Sequence, residues 1–148
     1  MREKARCLMA VSAVSVAQLQ ALIDETRFTR MLSMHVESIG DGTCRISLPF
    51  NKEFERPGGI VSGLVFVTAA DVAVWLAIKT RLGFADMSVT ADMSSSFLAP
   101  LAAGTLYAEA QISKIGRRLI NATARCEDAS GKLLSQHLLS YARQPIGE

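Results

Sequence analysis

A chain of 148 residues, 49% of them hydrophobic, with a formal net charge of only +2, can bury a core without staples and lacks the positive charge that a nucleic-acid backbone demands. No basic run or nucleic-acid motif occurs, and the apolar excess over 20% charged residues leaves surface that self-association would hide. Cys7, Cys44 and Cys126 are odd in number and widely spaced, which fits neither a zinc pattern nor a disulfide framework and points to a reducing, cytoplasmic setting. His35 and His137, the two histidines, stand at ligand spacing from no carboxylate or cysteine, so no metal site is expected.

In chain order, Arg2, Lys4 and Arg6 precede an apolar run from Cys7 to Ala17 that loosely imitates a secretory signal. The preferred reading is a basic arm over about residues 1–15 leading into a helix from about Val16 to Arg27, because Val16, Leu19, Leu22 and Ile23 recur at helical spacing. Strands are predicted near Met31–Ile39 and Thr43–Leu48, joined by the Gly40–Gly42 turn. A polar loop from Asn51 to Gly59 follows. An apolar helix then runs from Ile60 to about Arg81, with Gly83 as its stop.

Strand patterns at Met87–Phe97, Gly104–Ile115, Arg118–Glu127 and Lys132–Arg143 close the chain. Leu106, Ala108, Ala110 and Ile112 alternate with polar neighbours and assign one face of that strand to a core. The turn-rich links at Pro100–Gly104, Gly116 and Ser130-Gly131 read as antiparallel hairpins. There is no repeat or linker, so residues 1–148 are expected to form a single domain. The class that satisfies this order is α+β: a curved antiparallel sheet wrapped around one long central helix, with an extra N-terminal helix. Strands with one apolar face need a partner to bury, and the long helix supplies it. This argues against a membrane span.

Asp71 is the only charge between Ile60 and Ile78. An ionised carboxylate among apolar side chains is costly unless donors or function justify it. Ser62 and Gly63 lie at the start of the helix, where free N–H groups and the macrodipole favour negative charge. Asp71 lies nine residues beyond Ser62, about half a turn out of phase and ~13 Å away. Within one chain the two cannot act on the same atom. If they cooperate, the helix start of one subunit meets Asp71 of another, so the site exists only in a dimer.

The segment Gly59-x-x-Ser62-Gly63-x5-Ala69-x-Asp71 resembles the signature of hotdog-fold acyl-CoA thioesterases of the PaaI-like group, related to 4-hydroxybenzoyl-CoA thioesterase. The resemblance continues through Val89-Thr90, Phe97-Leu98-x-Pro100, Gly104-x-Leu106, Gly116-Arg117-Arg118 and Asp128-x-x-Gly131-Lys132-Leu133. It implies the hotdog fold, an acyl-CoA substrate with coenzyme A as part of it and no bound cofactor, and a homodimer at least, commonly a homotetramer. It further implies Asp71 as nucleophile or general base, and the Gly63 N–H as the donor to the thioester oxygen. Ser62 stands where the group usually has histidine, and Arg56 where many members have asparagine. Serine can still donate a hydrogen bond, but it cannot supply a proton near neutrality as imidazole does.

Beyond that core, Arg56 is a candidate for a coenzyme phosphate or for Asp71 of a neighbour. Thr68, one turn before Asp71, is a candidate partner of its carboxylate, and Ser95 and Ser96 are candidates for a coenzyme or thioester oxygen. Arg117 and Arg118 suit phosphates. Each has a structural alternative: Ser62 as a plain N-cap, Gly63 as a close-packing residue, Thr68 bonded back to its own helix, the serines as edge polarity, the arginines as solvated turn residues. The leading reading is an acyl-CoA thioester hydrolase. A non-catalytic acyl-CoA binding domain on the same scaffold is the alternative. A hydratase ranks last, because neither histidine is expected near the helix.

Overall fold

A computed structural model describes residues 12–145; Cys7 and most of the basic arm lie outside them. Helix α1, Val16–Glu25, opens on a capping box between Ser15 and Gln18 and buries Leu19 and Ile23, the apolar spacing that predicted it. A single turn, α2 (Arg27–Arg30), follows. The first strand, β1, spans His35–Gly40 and not Met31–Ile39. Residues Met31 to Met34 turn instead, with Ser33 at φ 53°, because α2 must be closed before the chain extends. Gln20 ties α1 to this strand, donating to the Met34 carbonyl and accepting from the Val36 N–H.

Strand β2 is Thr43–Leu48, and the turn between β1 and β2 donates the Gly42 N–H to Thr80 Oγ1 at 2.9 Å. The polar loop carries a 3-10 turn, Lys52–Phe54, and a two-residue ladder of β3 (Glu55–Arg56) with β4 (Ile60–Val61). The long helix, α3, is Gly63–Leu82. It begins three residues later than the apolar run suggests, since Ile60 and Val61 pair as strand and the Ser62 side chain caps the first turn. It ends at Gly83 (φ 76°), a left-handed position that suits glycine.

The remaining strands are β5 (Val89–Phe97), β6 (Leu106–Ile115), β7 (Leu119–Glu127) and β8 (Leu133–Ala142). All six long strands form one antiparallel sheet ordered β1-β2-β6-β7-β8-β5. The Pro100–Gly104 link is therefore not a hairpin. It crosses from the edge strand β5 to the centre of the sheet, fastened on the way by the Val61 N–H to Leu101 carbonyl bond. Turn residues mark where a chain reverses, not which strand it joins. Partner choice followed from matching buried faces, as in the Ile46–Ala108 and Ala110–Ala124 registers.

Helix α3 lies in the concave face of this sheet, mainly against β6, β2 and β7. Ala69, Ala70, Ala73 and Ala77 let it approach closely, and Val74, Leu76 and Ile78 are fully buried around them. Each such large side chain contributes roughly 1.5–3 kcal/mol. The segment has the length and apolarity of a membrane span, but it is a core helix of the sheet that surrounds it.

Candidate functional site

The sheet leaves one stripe of α3 uncovered, on the side of β5. Leu64 is 75% exposed, while Val67, Thr68, Asp71 and Trp75 are half-buried. Asp71 thus sits on this half-covered stripe and not inside the core. Tyr141, on the inward face of β8, donates its hydroxyl to Asp71 Oδ1 at 2.5 Å and lies 3.0 Å from the Asp71 carbonyl. Thr90, near the start of β5, donates to the same Oδ1 at 2.9 Å. Burial, and then the charge and hydrogen bond of Asp71, push the Tyr141 phenol far above its ordinary range, so it remains a donor.

Thr68 takes its structural alternative, donating to the Leu64 carbonyl at 2.9 Å instead of reaching Asp71. Neither Tyr141 nor Thr90 was a site candidate from the sequence. Alternation along β8 puts Ser135, His137, Leu139 and Tyr141 on one buried face, but only the pairing of β5 with β8, Thr90 opposite Tyr141, shows that both reach the helix.

At the helix start, the Ser62 hydroxyl accepts from the Leu64 N–H at 3.3 Å, the capping alternative. The Gly63 N–H is bonded to no acceptor among the described residues. Gly63 faces the Phe97 ring, which a Cβ at this position would meet at 3.1 Å. Arg56, Gly63, Phe66, Phe97 and Pro100 line one groove of about 340 Å³, which brings Arg56 and Gly63 to the same place. Gly59, with Gly58, holds the left-handed backbone of the approach (φ 71° and 101°).

The two serines separate. Ser95 points inward. Ser96 lies on the outer face of the sheet with Ser94, Thr123 and Gln136, which removes it from any groove shared with α3. Arg117 and Arg118 are exposed at the β6–β7 turn. Leu119 pairs with Ala142 there, so they flank the Asp71 end of the sheet and not the Gly63 end.

His137 corrects the expectation that neither histidine falls near the helix. It is 2% exposed, with Nδ1 2.7 Å from Ser95 Oγ and Nε2 2.8 Å from Ser135 Oγ. Cys126 Sγ lies 3.9 Å from Nε2 and donates to the Phe66 carbonyl in the first turn of α3 at 3.6 Å. Pairing of β8 with β7 brings Cys126 to His137, and pairing with β5 brings Ser95, which spacing along the chain does not reveal. Burial lowers the His137 pKa and pushes the Cys126 thiol up to about 11, giving a neutral cluster. Among the described residues no three His, Cys, Asp or Glu side chains converge as a metal set.

The thioesterase superfamily model matches residues 58–135, more than half of the chain and the whole stretch from the helix approach to β8. The chain belongs to the thioesterase superfamily. A candidate esterase of Saccharolobus solfataricus is 27% identical over 125 residues, covering 84% of this chain and 83% of the relative. A thioesterase structure from Haemophilus influenzae superposes with TM-score 0.84 at 19% identity, covering 93% of this chain and 97% of that one. A mutant of the phenylacetic acid degradation protein PaaI of Thermus thermophilus superposes with TM-score 0.73 at 22% identity, covering 80% and 100%. These likenesses establish the hotdog fold.

Proposed function

We propose that this thioesterase-superfamily chain hydrolyses an acyl-CoA thioester to free acid and coenzyme A, at a site shared between two copies. The observation that carries the reading is the placing of two contacts at opposite ends of the edge strand β5. Thr90 holds Asp71 at one end, and Phe97 backs Gly63 at the other, seven residues or ~23 Å apart along the strand. If β5 pairs antiparallel with β5 of a second copy about a two-fold axis between Met93 and Ser94, Thr90 of each copy falls opposite Phe97 of the other. Asp71 of one copy then faces Gly63 of the other. Within a single chain the two are separated by eight helix residues, ~12 Å.

Support for that pairing is physical. Strand β5 is a nine-residue edge, and such an edge invites pairing. Val89, Phe97, Leu98 and Leu64 beside it are all more than half exposed.

In this arrangement the Gly63 N–H, at the start of α3, holds the carbonyl oxygen as negative charge develops. Asp71 attacks the carbonyl carbon or removes a proton from the attacking water. The carbon–sulfur bond breaks, the coenzyme leaves as a thiolate that is protonated from solvent, and water supplies the oxygen of the acid. Arg56 from one copy and Arg117 and Arg118 from the other flank the entrance, where coenzyme phosphates would lie. Serine at position 62 favours a second reading, an acyl-CoA binding domain without turnover, because its hydroxyl, which accepts from the Leu64 N–H, can donate to a carbonyl but cannot supply a proton near neutrality.

The test is free-thiol release from short, medium, long and aryl acyl-CoAs, with Asp71→Asn in parallel. Turnover that collapses in the variant is the expected result. Turnover that survives moves the chemistry elsewhere, and binding without turnover makes the second reading the better one.

A further inference from the structure

We propose that Tyr141 is a positioning residue for Asp71, committing Oδ1 so that Oδ2 alone is presented to the substrate across the subunit interface. The inference rests on the shared-site reading and deepens it. A helical aspartate has at least two accessible side-chain rotamers, and a carboxylate can turn either oxygen to the same place. Here Tyr141 and Thr90 approach from two strands, the end of β8 and the start of β5, and both donate to one oxygen, Oδ1. Among the described residues no donor is bonded to Oδ2.

The phenol also lies against the Asp71 main-chain carbonyl, so it spans the carboxylate and the backbone that carries it. Tyr141 is 3% exposed and wedged between α3 and the sheet, so the donor itself cannot wander. Burial and the Asp71 charge hold the phenol protonated, which keeps it a hydrogen-bond donor. A residue that only compensated a half-buried carboxylate would need to supply one hydrogen bond to either oxygen. Two donors from separate strands converging on one oxygen select an orientation.

Steady-state kinetics of Tyr141→Phe, Thr90→Val, Asp71→Asn and Asp71→Asn/Tyr141→Phe decide the matter, on whichever acyl-CoA the wild type turns over. Tyr141→Phe keeps the ring in place and should fold. It is expected to lower kcat by about tenfold to a hundredfold, the range of a charge-assisted hydrogen bond, with KM unchanged. Thr90→Val should act in the same direction, and the double variant should be no slower than Asp71→Asn alone.

Wild-type kcat in Tyr141→Phe overturns the proposal, as does an equal further loss in the Asp71→Asn background. Full activity of Asp71→Asn, or no thiol release from the wild type, instead overturns the shared-site reading.

Discussion

Replacing Gly63 by proline removes the proposed oxyanion donor while asking little of the backbone. Gly63 is the first residue of α3, a position where proline is favoured because its missing N–H has no helical partner to lose. Ser62 before it has φ −59° and ψ 138°, the extended conformation that a residue preceding proline requires. The added Cβ would meet the Phe97 ring at 3.1 Å. That ring is 54% exposed and can yield the few tenths of an ångström needed. Stability should therefore change by no more than about 1 kcal/mol. Loss of one preorganised donor should lower kcat by ~10²–10³-fold, about 2.7–4 kcal/mol.

The decisive assay mixes Gly63→Pro with Asp71→Asn. Each variant alone should be nearly inactive. In a two-fold dimer with shared sites, a mixed dimer has one doubly damaged site and one intact site. Random exchange makes half of the dimers mixed, so ~25% of wild-type thiol release should return. Mixed dimers that form without recovering activity would refute the shared site. A fully active Gly63→Pro would refute the role of its N–H.

Leu76→Ala, in the fully buried centre of α3, should cost about 2–5 kcal/mol and lower the Tm in calorimetry; an unchanged Tm would contradict its place in the core. The His137 pKa is lowered by burial, so the unfolded chain binds the proton more readily. Stability from this group is complete above the ordinary histidine range and falls as pH drops through it. Denaturant midpoints between pH 7.5 and about 5 should show that decline, and His137→Gln should flatten it. In a Cys7→Ser background, the buried thiols of Cys44 and Cys126, pushed up to about 12 and about 11, should resist an aromatic disulfide reagent until the protein is unfolded. Rapid reaction of the native protein would place at least one of them at the surface.

Much of the fold was legible because its signals are local. The helical spacing of Val16, Leu19, Leu22 and Ile23, the alternation of Leu106 to Ile112, the Gly83 stop and the Gly40–Gly42 turn each follow from residues within one or two turns of each other. Asp71 and Gly63 were legible for a related reason: a lone charge in an apolar helix and a glycine at its start are conspicuous wherever the helix packs. What failed depended on partners distant in sequence. The Pro100–Gly104 turn looked like a hairpin because turn residues do not say that β5 leaves for the far edge beside β8. His137 was not linked to Cys126 or Ser95 because ladder pairing, not spacing along the chain, brings them to it. Thr90 and Tyr141 were not singled out, since only the β5–β8 register aims both at one carboxylate oxygen. Ser96 could be separated from Ser95 by alternation, but only the finished sheet shows which of the two faces meets the helix. By itself the sequence determined the elements, the apolar helix with its single acid and the chemistry that acid suggests. The tertiary structure decided which strand is the open edge, which stripe of α3 stays uncovered and which donors hold Asp71, because those depend on contacts between segments that no local pattern encodes.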